Sequence, residues 1–120
     1  MIGETNDVRA ASSATKDAIA QLNDKLRKTG VGGIIVVTRG VRAIYGFEPA
    51  ALMATLAGCD TFDEANDPHG EHDFGGVEFM GFELLWKIDY YDHDMIHHSR
   101  NPADAAQTCR VLTVMHAGEY

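Results

Sequence analysis

Residues 66 to 75 read NDPHGEHDFG and place two histidines and three carboxylates within ten positions. Imidazole and carboxylate both bind zinc, manganese or iron. Glu71, His72 and Asp73, joined by Asp89 and Asp92 from further along the chain, are therefore candidate metal ligands for a small metal-dependent hydrolase. The geometry argues for restraint. Consecutive residues of an extended segment point to alternate sides, so Glu71 and Asp73 can share a site that His72 faces away from. Neither H-E-x-x-H nor C-x-x-C supplies further ligands at a diagnostic spacing. The alternative is a rigid polar turn. Asn66-Asp67-Pro68 suits an Asx-type turn and Gly70 a left-handed position, with His72 and Asp73 bonding to backbone and fixing the approach to the next strand. That reading is preferred, with no cofactor expected.

Other reactive groupings are weaker. Lys87 and Asp89 lie two apart in a strand-like stretch, either solvated or combined with His72 or Asp73 as an acid–base set. Neither Cys59 nor Cys109 has a histidine nearby in sequence, and no serine sits in G-x-S-x-G. The segment GVGG at 30 to 33 lacks the Lys-Ser/Thr of a phosphate loop and reads as a turn. HDMIHH, at 93 to 98, reads as a surface loop, and Arg39 and Arg42 as partners for acidic groups rather than phosphate.

Those acidic groups are concentrated. Residues 1 to 59 carry a net charge of +2, residues 60 to 104 a net of −10, and the remainder is neutral. Seven of the ten aromatics fall in the same acidic stretch, so it is a folded surface rather than a disordered tail. Phosphates are repelled by such a surface, which excludes direct nucleic-acid binding through it and favours a basic protein partner. The candidate contacts are Asp63, Glu64, Asp67, Glu71, Asp73, Asp89, Tyr91, Asp92 and Asp94. No apolar run approaches the length of a membrane span and no secretory signal is evident, so a cytoplasmic protein with two reduced thiols is expected.

The elements that must hold these residues are readable from periodicity. Residues 6 to 30 form a helix with Asn6 or Asp7 as N-cap, Val8, Ala11, Ala18, Ile19, Leu22 and Leu26 as its apolar stripe, Lys25, Arg27 and Lys28 in its last turn and Gly30 after it. Ile34 to Val37 reads as a strand buried on both faces, and Val41 to Tyr45 as a second short one after a turn at Arg39-Gly40. Pro49 opens a short helix that Gly58 ends. A hairpin turns at Met80-Gly81, with Phe82, Leu84, Trp86, Ile88 and Tyr90 facing one way in its second strand. CRVLTVMH is a final strand. The expectation is one α+β domain over residues 1–120: a mostly antiparallel sheet of four to five strands, with a long N-terminal helix and a short helix on one face.

NDPHGEHDFG, WKIDYYD and TCRVLTVMHAGEY, with ND-x-x-R near the start and TRGV at 38 to 41, resemble an uncharacterised bacterial family of small domains of unknown function. The likeness runs from Asn6 to Tyr120, with departures at His69 and His116, which weaken any metal reading built on those two. The family is often encoded on plasmids and other mobile regions. The resemblance implies a mobile-element setting and supplies no reaction. Joined to the charge pattern, it points to a non-enzymatic acidic protein that inhibits a nucleic-acid-binding host defence protein, such as a restriction system or an RNA-guided nuclease. The rivals are the metal-dependent hydrolase and a self-associating accessory protein, seen as a homodimer with its acidic face free.

Overall fold

The computed structural model describes residues 2–120, with side chains from Ala14 onward. Helix α1 spans Ile2–Thr29; the N-cap expected at Asn6 or Asp7, and the stripe positions Val8 and Ala11, lie outside the described side chains. Strand β1 (Ile34–Val37) is followed by one helical turn, α2 (Arg39–Arg42), and by α3 (Pro49–Ala57). A long loop then leads to β2 (Phe74–Phe79) and β3 (Phe82–Tyr91), and a second loop to β4 (Cys109–His116). The strands form one sheet in the order β1-β4-β3-β2.

The β2–β3 hairpin forms as expected. Met80 and Gly81 both have positive φ (52° and 83°), the geometry of a two-residue turn whose twist matches its strands. β3 and β4 are antiparallel, but β1 joins β4 in parallel, with Ile34 beside Val111 and Val37 beside Val114. The sheet is thus mixed rather than mostly antiparallel. Helices α2 and α3 and the hairpin intervene between β1 and β4, which provides the long crossover that a parallel pair needs.

Two local expectations fail for identifiable reasons. β1 is an edge strand: Ile34 is 47% and Val36 42% exposed, while Ile35 and Val37 pack against the core. A β-branched run with no charge reads as doubly buried, yet here only one face is covered. The short strand expected at Val41 to Tyr45 is replaced by α2, because the Thr38 hydroxyl accepts the N–H of Val41 and caps a helical turn. That turn buries Val41 completely.

The core lies on one side of the sheet. Leu84, Trp86, Ile88 and Tyr90 of β3 and Leu112 and Val114 of β4 meet Ile19 and Leu26 of α1, Val41 of α2, and Leu52 and Leu56 of α3. Register places Gly75 against Trp86, where a Cβ would lie 2.8 Å from the indole, so only glycine lets the ring lie over β2. The buried stripe of α1 also includes Asn23 and Arg27, both fully buried. Arg27 stands in the last turn, where a cation suits the helix dipole, but it does not lie at the surface. Instead its guanidinium sits 5.3 Å from the centre of Phe62 and 5.4 Å from that of Trp86, donates to Leu56 O, and pairs with Asp24 at 2.9 Å. Gly30 ends α1 in the left-handed region, its N–H on Leu26 O.

Candidate functional site

The loop of the opening motif is a built turn. Asp67 Oδ1 accepts the backbone N–H groups of Glu71 and His72, and Asp67 is only 8% exposed. Gly70 takes the left-handed conformation, and so does His72, at φ 55°. His72 does not bond to backbone through its side chain. Its ring stacks on Phe62 at 4.1 Å between centres, and Nδ1 lies 2.9 Å from Asp24 Oδ1 on α1. The loop is thereby fastened to the helix layer.

Glu71 is fastened too, through a buried polar network. Asn23 Nδ2 donates to Glu71 O and to the Tyr90 hydroxyl, which in turn donates to Glu71 Oε1 at 2.9 Å. Arg110 Nε donates to Asn23 Oδ1, and its Nη2 donates to Pro102 O. Arg110 is 1% exposed, stands 5.3 Å from the centre of the Tyr90 ring, and makes no ion pair among the described residues. Burial raises the Tyr90 phenol far above its ordinary range. Asn23 is the hub, since every hydrogen-bonding atom of its amide is used.

These contacts separate the five candidate metal ligands. Glu71 is held by Tyr90 and His72 by Asp24, whereas Asp73 and Asp89 open on a shallow cleft with Ile88, Tyr91 and His98. Burial, and then the neighbouring charge of Glu71, raises the Asp73 carboxyl above its ordinary value. Among the described residues, the group of three donors that converges within 4.8 Å is Asp92, Asp94 and His97. It shares only Asp92 with the expected set. Its sequence signal is Asp92-x-Asp94-x-x-His97, in a turn rather than a helix, and the intervening His93 is not part of it, its Nε2 meeting Ala106 O. Asp94 is held down to about 2 by the N–H of Ile96 and by His97, and His97 is raised by the same contact.

Among the described residues the second face of the sheet carries no α-helix; the short 3-10 turn Ala117–Glu119 and Tyr120 lie along its border beside β2 and β3. Val111 and Met115 are buried there yet stand outside the core cluster. Lys87 and Asp89 pair on this face at 2.8 Å, the solvated arrangement, and Tyr120 packs edge-on against Phe74 at its border. Arg39 and Arg42 do not engage the acidic segment by any ion pair among the described residues.

The acidic candidates divide into two sets. Asp67 and Glu71 point inward and serve the fold. Asp63 and Glu64 are exposed on the loop before β2, Asp94 is exposed after β3, and Asp73, Asp89, Tyr91 and Asp92 are half-buried at the near end of the uncovered face. Glu78 and Glu83 belong with them, although sequence reasoning named neither as a contact. They face each other across the β2–β3 ladder, both exposed, with no ion pair among the described residues. Their signal was available, because a two-residue turn at 80–81 sets 78 opposite 83.

A protein-family model described as "Protein of unknown function (DUF3768)" matches residues 37–119. The chain belongs to that family. The DUF3768 match spans β1's last residue, both later helices and all the remaining strands, so it covers the uncovered face and its acids. No curated protein and no solved structure matches the chain. None of the described helices is long and apolar enough to cross a membrane.

Proposed function

We propose that this protein is a non-enzymatic binding protein whose uncovered, acid-bordered sheet face docks on a basic protein surface, and that its target is a nucleic-acid-binding host defence protein. The Glu78–Glu83 pair carries the reading. Like charges directly opposite in a ladder destabilise a hairpin, and among the described residues no cation pairs with either. A fold that keeps such a pair at its surface breaks a local rule where a cationic partner would satisfy it. With Asp73, Asp89 and Asp92 at the other end of the face, carboxylates bracket Leu85, Phe74 and the Lys87 that pairs with Asp89. Apolar contacts supply anchoring and the bracketing charge supplies rate and register. The basic grooves that hold phosphates in restriction enzymes and RNA-guided nucleases have the complementary chemistry, and the mobile-element setting implied by the motifs supplies the biological reason.

Competition tests this. The protein is titrated into complexes of labelled duplex with purified restriction enzymes and guide-loaded nucleases. Displacement of duplex, weakened by added salt and by the E78K/E83K double variant, is the expected result. Failure to displace duplex from any of them sinks the reading.

A further inference from the structure

We propose that the bare edge of β1 pairs with the same edge of a second copy of this chain, antiparallel, to form a closed dimer with one continuous eight-stranded sheet. Several independent observations converge on it. First, the two sheet edges are treated differently. The β2 edge is shielded: the Cys59 thiol donates to Gly76 O from the preceding loop, and Glu78 is exposed nearby. Among the described residues β1 pairs only with β4, and from Gly30 to Val37 the chain has no charge and no proline. Natural edge strands usually carry such a guard, because their free N–H and C=O groups template pairing with another chain. Second, the alternation is suited to self-pairing. Thr38 N–H reaches Val114 O on β4, so the polar groups of Ile35 and Val37 point away from the sheet. With Ile35 on the two-fold axis, the two Ile35 residues exchange hydrogen bonds, and Ile34 of each copy stands beside Val36 of the other on the uncovered face. Both are exposed in the single chain. Any register that keeps the faces continuous must pair even positions with even.

Third, charge chooses the occupant. The chain carries −8 overall, so two copies repel unless their acidic parts are kept apart. All the excess lies in residues 60 to 104, which build β2, β3 and their flanking loops on the far side of β4. Pairing through β1 sets those regions at opposite ends of the assembly and joins the two copies at a segment, residues 30 to 37, that carries no charge. An isologous contact through the single bare edge closes at two copies, so no fibre grows from it.

Sedimentation equilibrium across a wide range of concentration is the test. A monomer–dimer equilibrium is expected, weakened by more than roughly tenfold in V36K, whose new charge sits among apolar partner residues. L85K, on the same face but in β3, leaves the dimer intact. Hydrogen exchange gives a reading independent of any variant: the amides of Ile35 and Val37 become more protected as wild-type concentration rises. A wild-type monomer at every concentration, a dimer lost in L85K but not in V36K, or unchanged exchange at those two amides overturns the proposal. So does a species that keeps growing beyond two copies.

Discussion

Gly75 and Gly76 are neighbours in β2, but a methyl on the first strikes the indole of Trp86 while one on the second meets nothing closer than 3.7 Å. The two residues sample the two faces of one sheet. On the covered face large side chains interlock, and Tyr90, Arg110 and Arg27 are tied into the Asn23 network or held over aromatic rings. On the other face most side chains are half-buried or exposed, Glu78 stands opposite Glu83, and only Lys87 and Asp89 form an ion pair among the described residues. Polar residues thus have opposite meanings on the two faces. Inside, they specify how helix, loop and sheet fit together; outside, they stand in solvent, where the proposed partner would meet them.

Substitutions on each face sharpen or break that contrast. Asn23→Ala has the largest expected effect. It strands the Arg110 Nε donor and removes the clasp on Glu71, and it lowers unfolding free energy by ~2–4 kcal/mol in chemical denaturation. Gly75→Ala forces the Trp86 ring aside and costs about 1–3 kcal/mol, whereas Gly76→Ala leaves stability within about 0.5 kcal/mol. Equal effects at the two glycines would refute the division between faces.

Asp73→Asn tests the border between them. The native carboxyl is raised by burial and by Glu71, so its ionised form is disfavoured by folding. Its contribution to stability is present below the unfolded value near 3.9 and lost as pH rises through the native value. The amide variant therefore melts higher than wild type at pH 7, and the gap closes as pH falls toward 3.9. A gap independent of pH would mean that Asp73 is not strained by its setting. The smallest effect is expected at Glu83→Thr, which relieves the like-charge pair and stabilises the hairpin by roughly 0.2–1 kcal/mol. In the competition assay the same variant should displace less duplex.

Much of the architecture was legible where neighbours in sequence decide it. Period-two alternation marked β3, Pro49 and Gly58 bounded α3, and Met80-Gly81 marked the turn. The left-handed Gly70 was legible for the same reason, whereas the Asx-type turn expected at Asp67 is made by Asp63, and Asp67 reaches on to the N–H groups of Glu71 and His72. What escaped depends on distant residues. Nothing in IIVV distinguishes an edge strand from a central one, because the difference is whether a strand lies beyond it. The parallel pairing of β1 with β4 is equally non-local. Within the candidate site, the His72–Asp24 contact joins residues 48 positions apart and redirects a would-be metal ligand. Helix periodicity did place Ile19 and Leu26 inward, but it could not show that Asn23 and Arg27 are buried beside them, since burial of a polar group depends on partners from other elements.

The position of β4 in the sheet has a consequence for how the protein comes to be made. β4 is the last strand in the chain, yet it alone joins β1 to the hairpin. Until residues 109–116 have left the ribosome, β1 has no partner strand and the β2–β3 hairpin lacks the neighbour on its other side. The nascent protein therefore waits with an uncharged, β-branched segment uncovered, and assembles its sheet in one late step dominated by long-range contacts. Slow folding and dependence on protection during synthesis follow from that order of arrival.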